Sequence, residues 1–259
     1  MKIIILAAGQ GTRLRPLTDE QPKCMVQINQ VSIIERILNV IASCGIKESD
    51  VYIVTGYKAS VLEEFLHDRN VNFIYNPHYE STNMVCSLMC AKGVLESDDE
   101  IIVSYGDIIY EESILKKVME ASCEISVAAD DGWYEYWKKR CDNPLDDAET
   151  FLFDAEDNLL EIGRKTTELS DIQSQYIGLM KYSGNGIRKV IGLCERAKEK
   201  SSNGEPLWRT ERTYQKMYMT DMLQGLVDEG NQIKVVHINR GWYEVDGLED
   251  LQVVEKEVL

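Results

Sequence analysis

The first 24 residues, MKIIILAAGQGTRLRPLTDEQPKC, join a short apolar run to a loop rich in glycine and arginine. Ile3–Leu6 is typical of a buried strand, because four consecutive apolar residues are followed closely by glycines. Glycine allows a backbone to approach a ligand closely, and guanidinium groups suit phosphate. We therefore expect this strand to end in a loop that binds phosphate.

The following segments alternate predicted strands with predicted helices. The helices are expected at Ser32–Cys44, Ser60–Leu66 and Met84–Leu95, and the strands at Asp50–Thr55, Val71–Tyr75 and Glu100–Ser104. This order predicts an α/β fold with a doubly wound, mostly parallel sheet. After about residue 124 the order becomes less regular, with a hairpin predicted at Phe151–Ile162. We expect a single domain, residues 1–259, with an elaborated C-terminal half.

Composition and charge exclude several classes of protein. A net charge of −16 argues against a broad nucleic-acid surface, which requires basic patches. No run reaches the ~18 continuous apolar residues of a membrane helix, and we expect neither a membrane partner nor a secretory signal. The seven cysteines form an odd number and lack zinc-ligand spacing, so we expect reduced thiols in the cytoplasm.

Three kinds of phosphate-binding loop compete for this N-terminal segment. A dinucleotide fingerprint, as in a dehydrogenase, requires a third glycine where the chain has Leu14, and a Walker A loop requires Gly-Lys-Ser/Thr. LAAGQGTRLRPLT, residues 6–18, followed by Pro22-Lys23, resembles instead the signature of the sugar-1-phosphate nucleotidylyltransferase superfamily. Its members join a phosphorylated acceptor to the α-phosphate of a nucleoside triphosphate and release pyrophosphate. The alternative is a strand and turn with a surface arginine and lysine.

The resemblance implies a Rossmann-like nucleotidyltransferase fold and specific roles for the loop. Positioning and charge neutralisation dominate this chemistry, so backbone N–H groups would cradle the triphosphate. Arg13 would clamp the leaving pyrophosphate, and Lys23 would meet the α-phosphate. The nucleotide-binding positions that it implies are Leu6, Ala8, Gly9, Gln10, Gly11, Thr12, Gly56, Asn83, Ser87 and Tyr105.

Two aspartates are candidates for a metal site. Asp107 follows a predicted strand in VSYGD, and Asp246 follows another in WYEVD. Ligands of open α/β sheets bind at the carboxyl ends of strands. The resemblance implies that these aspartates hold Mg²⁺ on the triphosphate. The alternative is that each one caps a turn or a helix.

Two further segments narrow the resemblance. NPHYESTNMVCSL, residues 76–88, is similar to the nucleotide-adjacent segment of bacterial CTP:phosphocholine cytidylyltransferases, which commonly carry Asn-Asn where this chain has Asn83-Met84. The pattern W-x-x-x-W-x-x-R-x-x-N-P-L-x-D-A-E, residues 133–149, resembles the cytidylyltransferases that act on phosphorylated glutamine in capsule modification. CTP is the nucleotide implied, with Asn83 and Ser87 as contacts to the pyrimidine. A helix cap and a solvated serine are the alternatives.

The acceptor site is expected in the C-terminal half. Lys165, in E-x-G-x-K, occupies the place of the superfamily's acceptor-phosphate lysine. An acceptor pocket is expected to include Trp133, Trp137, Tyr176 and Glu244, because aromatic faces and carboxylates suit a cationic headgroup. Two tryptophans four residues apart lie on one helical face, and the alternative is that they anchor the core.

Together these features predict an Mg²⁺-dependent nucleotidyltransferase. Residues 1–123 would bind CTP, and residues 124–259 would bind a small phosphorylated or phosphonylated amine such as phosphocholine, aminoethylphosphonate or phosphoglutamine. A hexose-1-phosphate nucleotidylyltransferase is the alternative enzyme. A non-catalytic nucleotide-sensing subunit is the alternative outside catalysis, and it would be expected to have lost a signature cation or metal ligand. No feature of the sequence indicates an oligomeric state.

Overall fold

The structure, a computed structural model, describes residues 1–258. The strands are β1 (Lys2–Ala7), β2 (Gln27–Ile28), β3 (Val31–Ser32), β4 (Val51–Thr55), β5 (Asn72–Tyr75), β6 (Glu100–Tyr105), β7 (Ile108–Tyr110), β8 (Ile125–Asp130), β9 (Glu149–Phe153), β10 (Leu159–Lys165), β11 (Gln175–Ser183), β12 (Lys234–Ile238) and β13 (Trp242–Glu244). The helices are α1 (Ile33–Ser43), α2 (Ala59–Phe65), α3 (Met84–Cys90), α4 (Lys92–Leu95), α5 (Glu112–Glu120), α6 (Trp133–Arg140), α7 (Asn185–Ser202), α8 (Met219–Asp228) and α9 (Leu248–Glu257). None of the described helices is long and apolar enough to cross a membrane.

The central sheet has seven strands in the order β12-β8-β11-β6-β1-β4-β5. β1 pairs in parallel with β4 and β6, and the pairs β4–β5 and β8–β12 are also parallel. β11 runs antiparallel to both of its neighbours. The predicted α/β fold with a doubly wound, mostly parallel sheet is therefore confirmed.

Helices cover both faces of the sheet because β1 is apolar on both faces. Ile3 and Ile5 lie in the core on the face of α1, whereas Ile4 and Leu6 lie in the core on the face of α3. A strand buried on both faces reads as a continuous apolar run rather than as an alternation. The N-terminal run of isoleucines therefore specifies a central strand.

Helix α1 begins where its sequence predicts. The Ser32 hydroxyl accepts a 3.2 Å hydrogen bond from the Glu35 N–H, and the Glu35 carboxylate accepts one of 3.1 Å from the Ser32 N–H. This capping box satisfies two donors that the helix itself leaves unpaired. The predicted helix at Met84–Leu95 is instead divided at Ala91 into α3 and α4.

A short ladder brings the end of the chain to the centre of the sheet. β13 pairs antiparallel with β7, with Glu244 opposite Ile108. The Val245 N–H also donates a 3.0 Å hydrogen bond to the Asp107 carbonyl. Glu244 and Asp246 therefore reach the carboxyl end of β6. β4 and β6 lie on opposite sides of β1, so the connections from the strands leave β1 in opposite directions. In open α/β sheets, ligands bind in the crevice at such a switch point.

Candidate active site

Two glycines shape the loop that follows β1. Gly11 has φ +61°, and the Thr18 hydroxyl donates a 2.8 Å hydrogen bond to its carbonyl. A Cβ at Gly11 would lie 2.9 Å from the Cβ of Lys23, so a side chain here would displace the lysine. A Cβ at Gly56 would lie 2.7 Å from the Ala8 carbonyl oxygen. These positions accept only glycine without a shift of the backbone or of Lys23.

A cavity of about 360 Å³ opens between this loop, the start of α3 and the β7–β13 ladder; we name it the signature cavity. It is lined by Leu6, Ala8, Gly9, Gly11, Thr12, Arg13, Lys23, Tyr79, Thr82, Asn83, Met84, Ser87, Tyr105, Asp107, Tyr218, Glu244 and Asp246. Most of the residues expected to bind nucleotide are among them. Gln10 and Gly56 are not: Gly56 packs behind the loop, against Tyr79.

Asn83 and Ser87, at the start of α3, line the cavity and also form hydrogen bonds within the protein. Asn83 precedes the helix, and its side-chain oxygen accepts a 2.8 Å hydrogen bond from the Met84 N–H. The Ser87 hydroxyl is buried and accepts a 3.0 Å bond from the Asn76 amide. Ser87 is therefore not the solvated serine of the alternative, whereas Asn83 does cap the helix. Tyr79, Thr82 and Tyr218 complete this wall, although none of them was among the predicted site residues.

The two signature cations are paired with the two aspartates. The Lys23 ammonium donates a 2.7 Å hydrogen bond to Asp107 and also bonds to Asp246, while Arg13 lies 3.0 Å from the other oxygen of Asp246. Burial lowers the pKa of Lys23, but Asp107 and Asp246 outweigh it and the net shift is upward. Burial likewise raises the pKa of Asp246, but Lys23 and Arg13 reverse this, and the net shift is downward. Lys23 and Asp246 are therefore held in their charged forms.

Glu244 joins these aspartates in a cluster of three carboxylates. Oxygens from Asp107, Glu244 and Asp246 lie within 4.8 Å of one another. One oxygen of Asp107, Oδ1, is buried and has no hydrogen-bond partner in residues 1–258. Burial, with Asp246 and Asp107 adding to it, raises the pKa of Glu244 to about 8. Three converging carboxylates with one unpaired buried oxygen fit a hard divalent cation. The sequence had placed Glu244 only in the acceptor pocket.

Arg140 supports Glu244 from beneath the cavity. Its side chain is only 6 % exposed, and it pairs with Glu244 at 3.1 Å and with Asp250 at 2.8 Å. Its guanidinium carbon lies 4.9 Å from the centre of the Trp137 ring. Arg140 had no predicted role, although it is the arginine of the pattern over residues 133–149.

The aromatic residues of α6 lie in the core rather than on the cavity wall. Trp133 and Trp137 are 3 % and 4 % exposed, and their rings meet edge to face at 5.8 Å. The same helix carries Tyr136, whose hydroxyl accepts a 3.0 Å hydrogen bond from the Glu244 N–H. The structure therefore does not bring the two tryptophans to the signature cavity, and their burial agrees with the alternative of a core anchor.

Of the remaining residues expected at the acceptor, Glu244 lines the signature cavity, whereas Tyr176 and Lys165 lie outside it. The Tyr176 ring packs edge to face against the Tyr105 ring, with 5.8 Å between the ring centres. The Tyr176 hydroxyl donates a hydrogen bond to the Met180 sulfur at 3.4 Å. Lys165 is exposed, and its ammonium donates hydrogen bonds to the carbonyls of Asp146 and Asp147 at 3.4 and 2.5 Å.

Lys165 instead lines a second cavity of about 710 Å³, which we name the hairpin cavity. Its walls come from the β9–β10 hairpin, the loop before α8 and the first turns of α8. The lining residues are Glu149, Glu161, Ile162, Gly163, Arg164, Lys165, Arg209, Thr210, Glu211, Arg212, Asp221 and Gln224. The guanidinium carbon of Arg212 lies 4.2 Å from the ring centre of Tyr218, which lines the signature cavity, so the two cavities adjoin there.

The chain is similar to several known proteins. The MobA-like NTP transferase domain matches residues 3–216. A CTP:phosphoglutamine cytidylyltransferase from Campylobacter jejuni subsp. jejuni is 37 % identical over 262 residues, covering 99 % of this chain and 100 % of that protein. Among solved structures, a CTP:phosphocholine cytidylyltransferase from Streptococcus pneumoniae has a TM-score of 0.72 at 21 % identity, covering 100 % and 99 % of the two chains. An inositol-1-phosphate CTP transferase from T. maritima has a TM-score of 0.71 at 21 % identity, covering 100 % and 97 %.

Proposed function

The chain belongs to the MobA-like NTP transferase family and is a nucleotidyltransferase, and we propose that it transfers the cytidylyl group of CTP to a small phosphorylated amine. The resemblance found in the N-terminal signature is confirmed by the family match over residues 3–216. The choice of CTP is supported by the relative that is 37 % identical over nearly the whole chain. Phosphocholine, aminoethylphosphonate and phosphoglutamine are the acceptor types that we propose.

One observation carries the proposal. Arg13 and Lys23, from the N-terminal signature, meet Asp107 and Asp246 in a single cavity beside the glycine loop. If a polyphosphate bound there, Arg13 and Lys23 would contact its oxygens, and Asp107 and Asp246 would hold its divalent counterion. A sensor that had lost catalysis would be expected to lack one of these four groups, and all four are present.

In the proposed reaction an oxygen of the acceptor's phosphate attacks the α-phosphorus of CTP. The bond from that phosphorus to the bridging oxygen of the β-phosphate breaks, and pyrophosphate leaves with the electron pair. The attacking oxygen is ionised near neutral pH, so no general base is needed. Lys23 would leave its carboxylates and neutralise charge on the α-phosphate, and Arg13 would hold the departing pyrophosphate. Lys165 would orient the acceptor phosphate.

We propose Mg²⁺ as the cation, held by Asp107 and Asp246. The unpaired Oδ1 of Asp107 and the short distances within the cluster support this assignment. Glu244 is close enough to contribute, directly or through a bound water. When bound, Mg²⁺ neutralises charge on the triphosphate and on the leaving group.

We further propose that the reaction takes place in the cytoplasm. All seven cysteines are unpaired within residues 1–258, as expected in a reducing compartment. The product, a phosphorylated headgroup linked to CMP, is an activated donor suited to the synthesis of a capsule or another cell-surface polymer.

The proposed function is tested by measuring pyrophosphate release with each of the four NTPs, MgCl₂ and a panel of phosphorylated amines and hexose 1-phosphates. We expect release with CTP and at least one phosphorylated amine, and the loss of this release in Lys23→Met. Faster turnover with a hexose 1-phosphate would replace the acceptor class. Nucleotide binding without pyrophosphate from any acceptor would instead indicate a sensor.

A further inference from the structure

The hairpin cavity combines both signs of charge. Four cations, Arg164, Lys165, Arg209 and Arg212, face four carboxylates, Glu149, Glu161, Glu211 and Asp221. Within residues 1–258, no aromatic side chain lines it. A quaternary ammonium headgroup favours aromatic faces. The charges of this cavity suit a ligand that itself carries both signs.

Several of these charged side chains already form ion pairs or hydrogen bonds within the cavity walls. Arg164 pairs with Glu161 at 2.9 Å, and Arg209 pairs with Asp228 at 2.9 Å. Asp221 is nearly buried, where its carboxylate accepts a 2.8 Å hydrogen bond from the Tyr218 N–H at the start of α8. These pairs fix the hairpin and the loop before α8 around the cavity.

Arg212 keeps one edge of its guanidinium free. Its hydrogen bonds in the described part of the chain all use Nη1, which donates to Asp221 at 3.0 Å and to Thr210 at 3.4 Å. The plane of the guanidinium is supported by the Tyr218 ring at 4.2 Å. The Nε and Nη2 groups are therefore available, in a fixed orientation, to donate two parallel hydrogen bonds to a carboxylate.

Glu149 offers the opposite charge in the same cavity. Burial raises the pKa of its half-buried carboxyl, while Lys165 and Arg212 oppose that shift from nearby. Among the described residues neither cation forms an ion pair with it, because Lys165 donates to the carbonyls of Asp146 and Asp147 and Arg212 pairs with Asp221. Its oxygens are therefore free to accept hydrogen bonds from an ammonium group of a ligand.

We infer that the hairpin cavity binds the α-amino-acid end of the acceptor, with the acceptor's α-carboxylate on Arg212 and its α-ammonium on Glu149. This inference rests on the proposed cytidylyl transfer and selects a phosphorylated α-amino acid as the acceptor class. The phosphate end extends past Lys165 and Tyr218 toward the signature cavity, where the α-phosphate of CTP would lie. Phosphocholine and aminoethylphosphonate lack the carboxylate that Arg212 is placed to bind.

The test compares acceptors that differ by one group. Pyrophosphate release is measured with phosphoglutamine, with its analogue that lacks the α-carboxylate, and with its analogue whose α-amine is acetylated. Each is assayed with the unaltered protein, Arg212→Gln, Arg212→Lys and Glu149→Gln. Arg196→Gln is the matched control, because Arg196 is similarly exposed and also pairs with a carboxylate, Glu229, but lines neither cavity.

Arg212→Gln is expected to lower kcat/KM for phosphoglutamine by about tenfold or more, since the lost hydrogen bonds join charged groups. It should leave kcat/KM for the decarboxylated analogue, and KM for CTP, within about twofold of their original values. Arg212→Lys should give an intermediate loss. Glu149→Gln should show the same selectivity for acceptors that keep the free amine. Thermal unfolding identifies any variant that fails to fold, and Arg212→Lys then carries the carboxylate test.

Equal losses for acceptors with and without the carboxylate would overturn this inference, as would an unaltered protein that prefers phosphocholine or aminoethylphosphonate. In either case transfer from CTP would still occur and the proposed function would stand. Absence of transfer to every acceptor would contradict the proposed function, and this inference with it.

Discussion

Lys23 donates a 2.7 Å hydrogen bond to Asp107, although 84 positions separate the two residues in the chain. The same ammonium also bonds to Asp246, so one cation neutralises two carboxylates. Phosphate oxygens compete with these carboxylates for Lys23, and a divalent cation competes with Lys23 for the carboxylates. We therefore expect binding of the metal–nucleotide complex to exchange the partners of Lys23.

Removing Lys23 tests this exchange. In Lys23→Met the half-buried carboxylates of Asp107 and Asp246 would lose the cation that they share, and only Arg13 would remain, beside Asp246. We therefore expect a loss of about 3 kcal/mol in the free energy of unfolding in EDTA. A divalent cation would replace the missing charge, and we expect MgCl₂ to restore part of this loss. The measurement is chemical unfolding with and without MgCl₂. Equal losses in both conditions would show that the cation does not bind at these carboxylates.

Asp246 is expected to be essential for turnover and dispensable for the fold. Asp246→Asn keeps the shape of the side chain but removes the charge, and the rate of pyrophosphate release should fall by about a hundredfold or more. Asp19→Asn is the control, since Asp19 is exposed and its carboxylate pairs with the exposed Arg15, at 3.4 Å. Near-normal rates in Asp246→Asn, at any MgCl₂ concentration, would remove Asp246 from the metal site.

Glu244 should make the stability of the metal-free protein depend on pH. Burial raises the pKa of this carboxyl to about 8 in the folded state, from 4.5. The folded protein therefore binds more protons than the unfolded chain between these values. The contribution of the protonated Glu244 to stability is complete below about pH 4.5 and is lost as the pH rises through about 8.

The measurement is the difference in unfolding free energy between the unaltered protein and Glu244→Gln, followed in EDTA from pH 5 to pH 9. As the pH rises, we expect the unaltered protein to lose stability relative to Glu244→Gln, because glutamine does not titrate. A difference that is constant over this range would mean that Glu244 is ionised throughout.

The buried tryptophans should affect stability rather than acceptor binding. Trp133→Ala creates a cavity in the core, and we expect it to cost about 3 kcal/mol or more. The KM for the acceptor should stay unchanged in the fraction that remains folded. Tyr134→Ala is the matched control, since the neighbouring Tyr134 is exposed and should cost little. A raised acceptor KM with normal stability would place Trp133 in the acceptor pocket after all.

Local pattern was sufficient for the parts of this protein that are specified locally. The run of isoleucines in β1 predicts a strand buried on both faces, and Ser32 with Glu35 predicts the start of α1. Predicted strands and helices fix the mostly parallel sheet, because parallel strands require crossover helices. The aromatic spacing in α6 was ambiguous, since one face of a helix can pack inward or line a pocket.

The sequence by itself determined the glycine loop, its two cations and the family of the chain, because these reside in contiguous residues with fixed spacing. Only the tertiary structure decided that Glu244 joins Asp107 and Asp246, because their proximity depends on the register of β13 against β7. It also decided that the tryptophans are buried while Glu149 and Arg212 share a cavity. Long-range pairing sets which side chains converge, and no local periodicity records it.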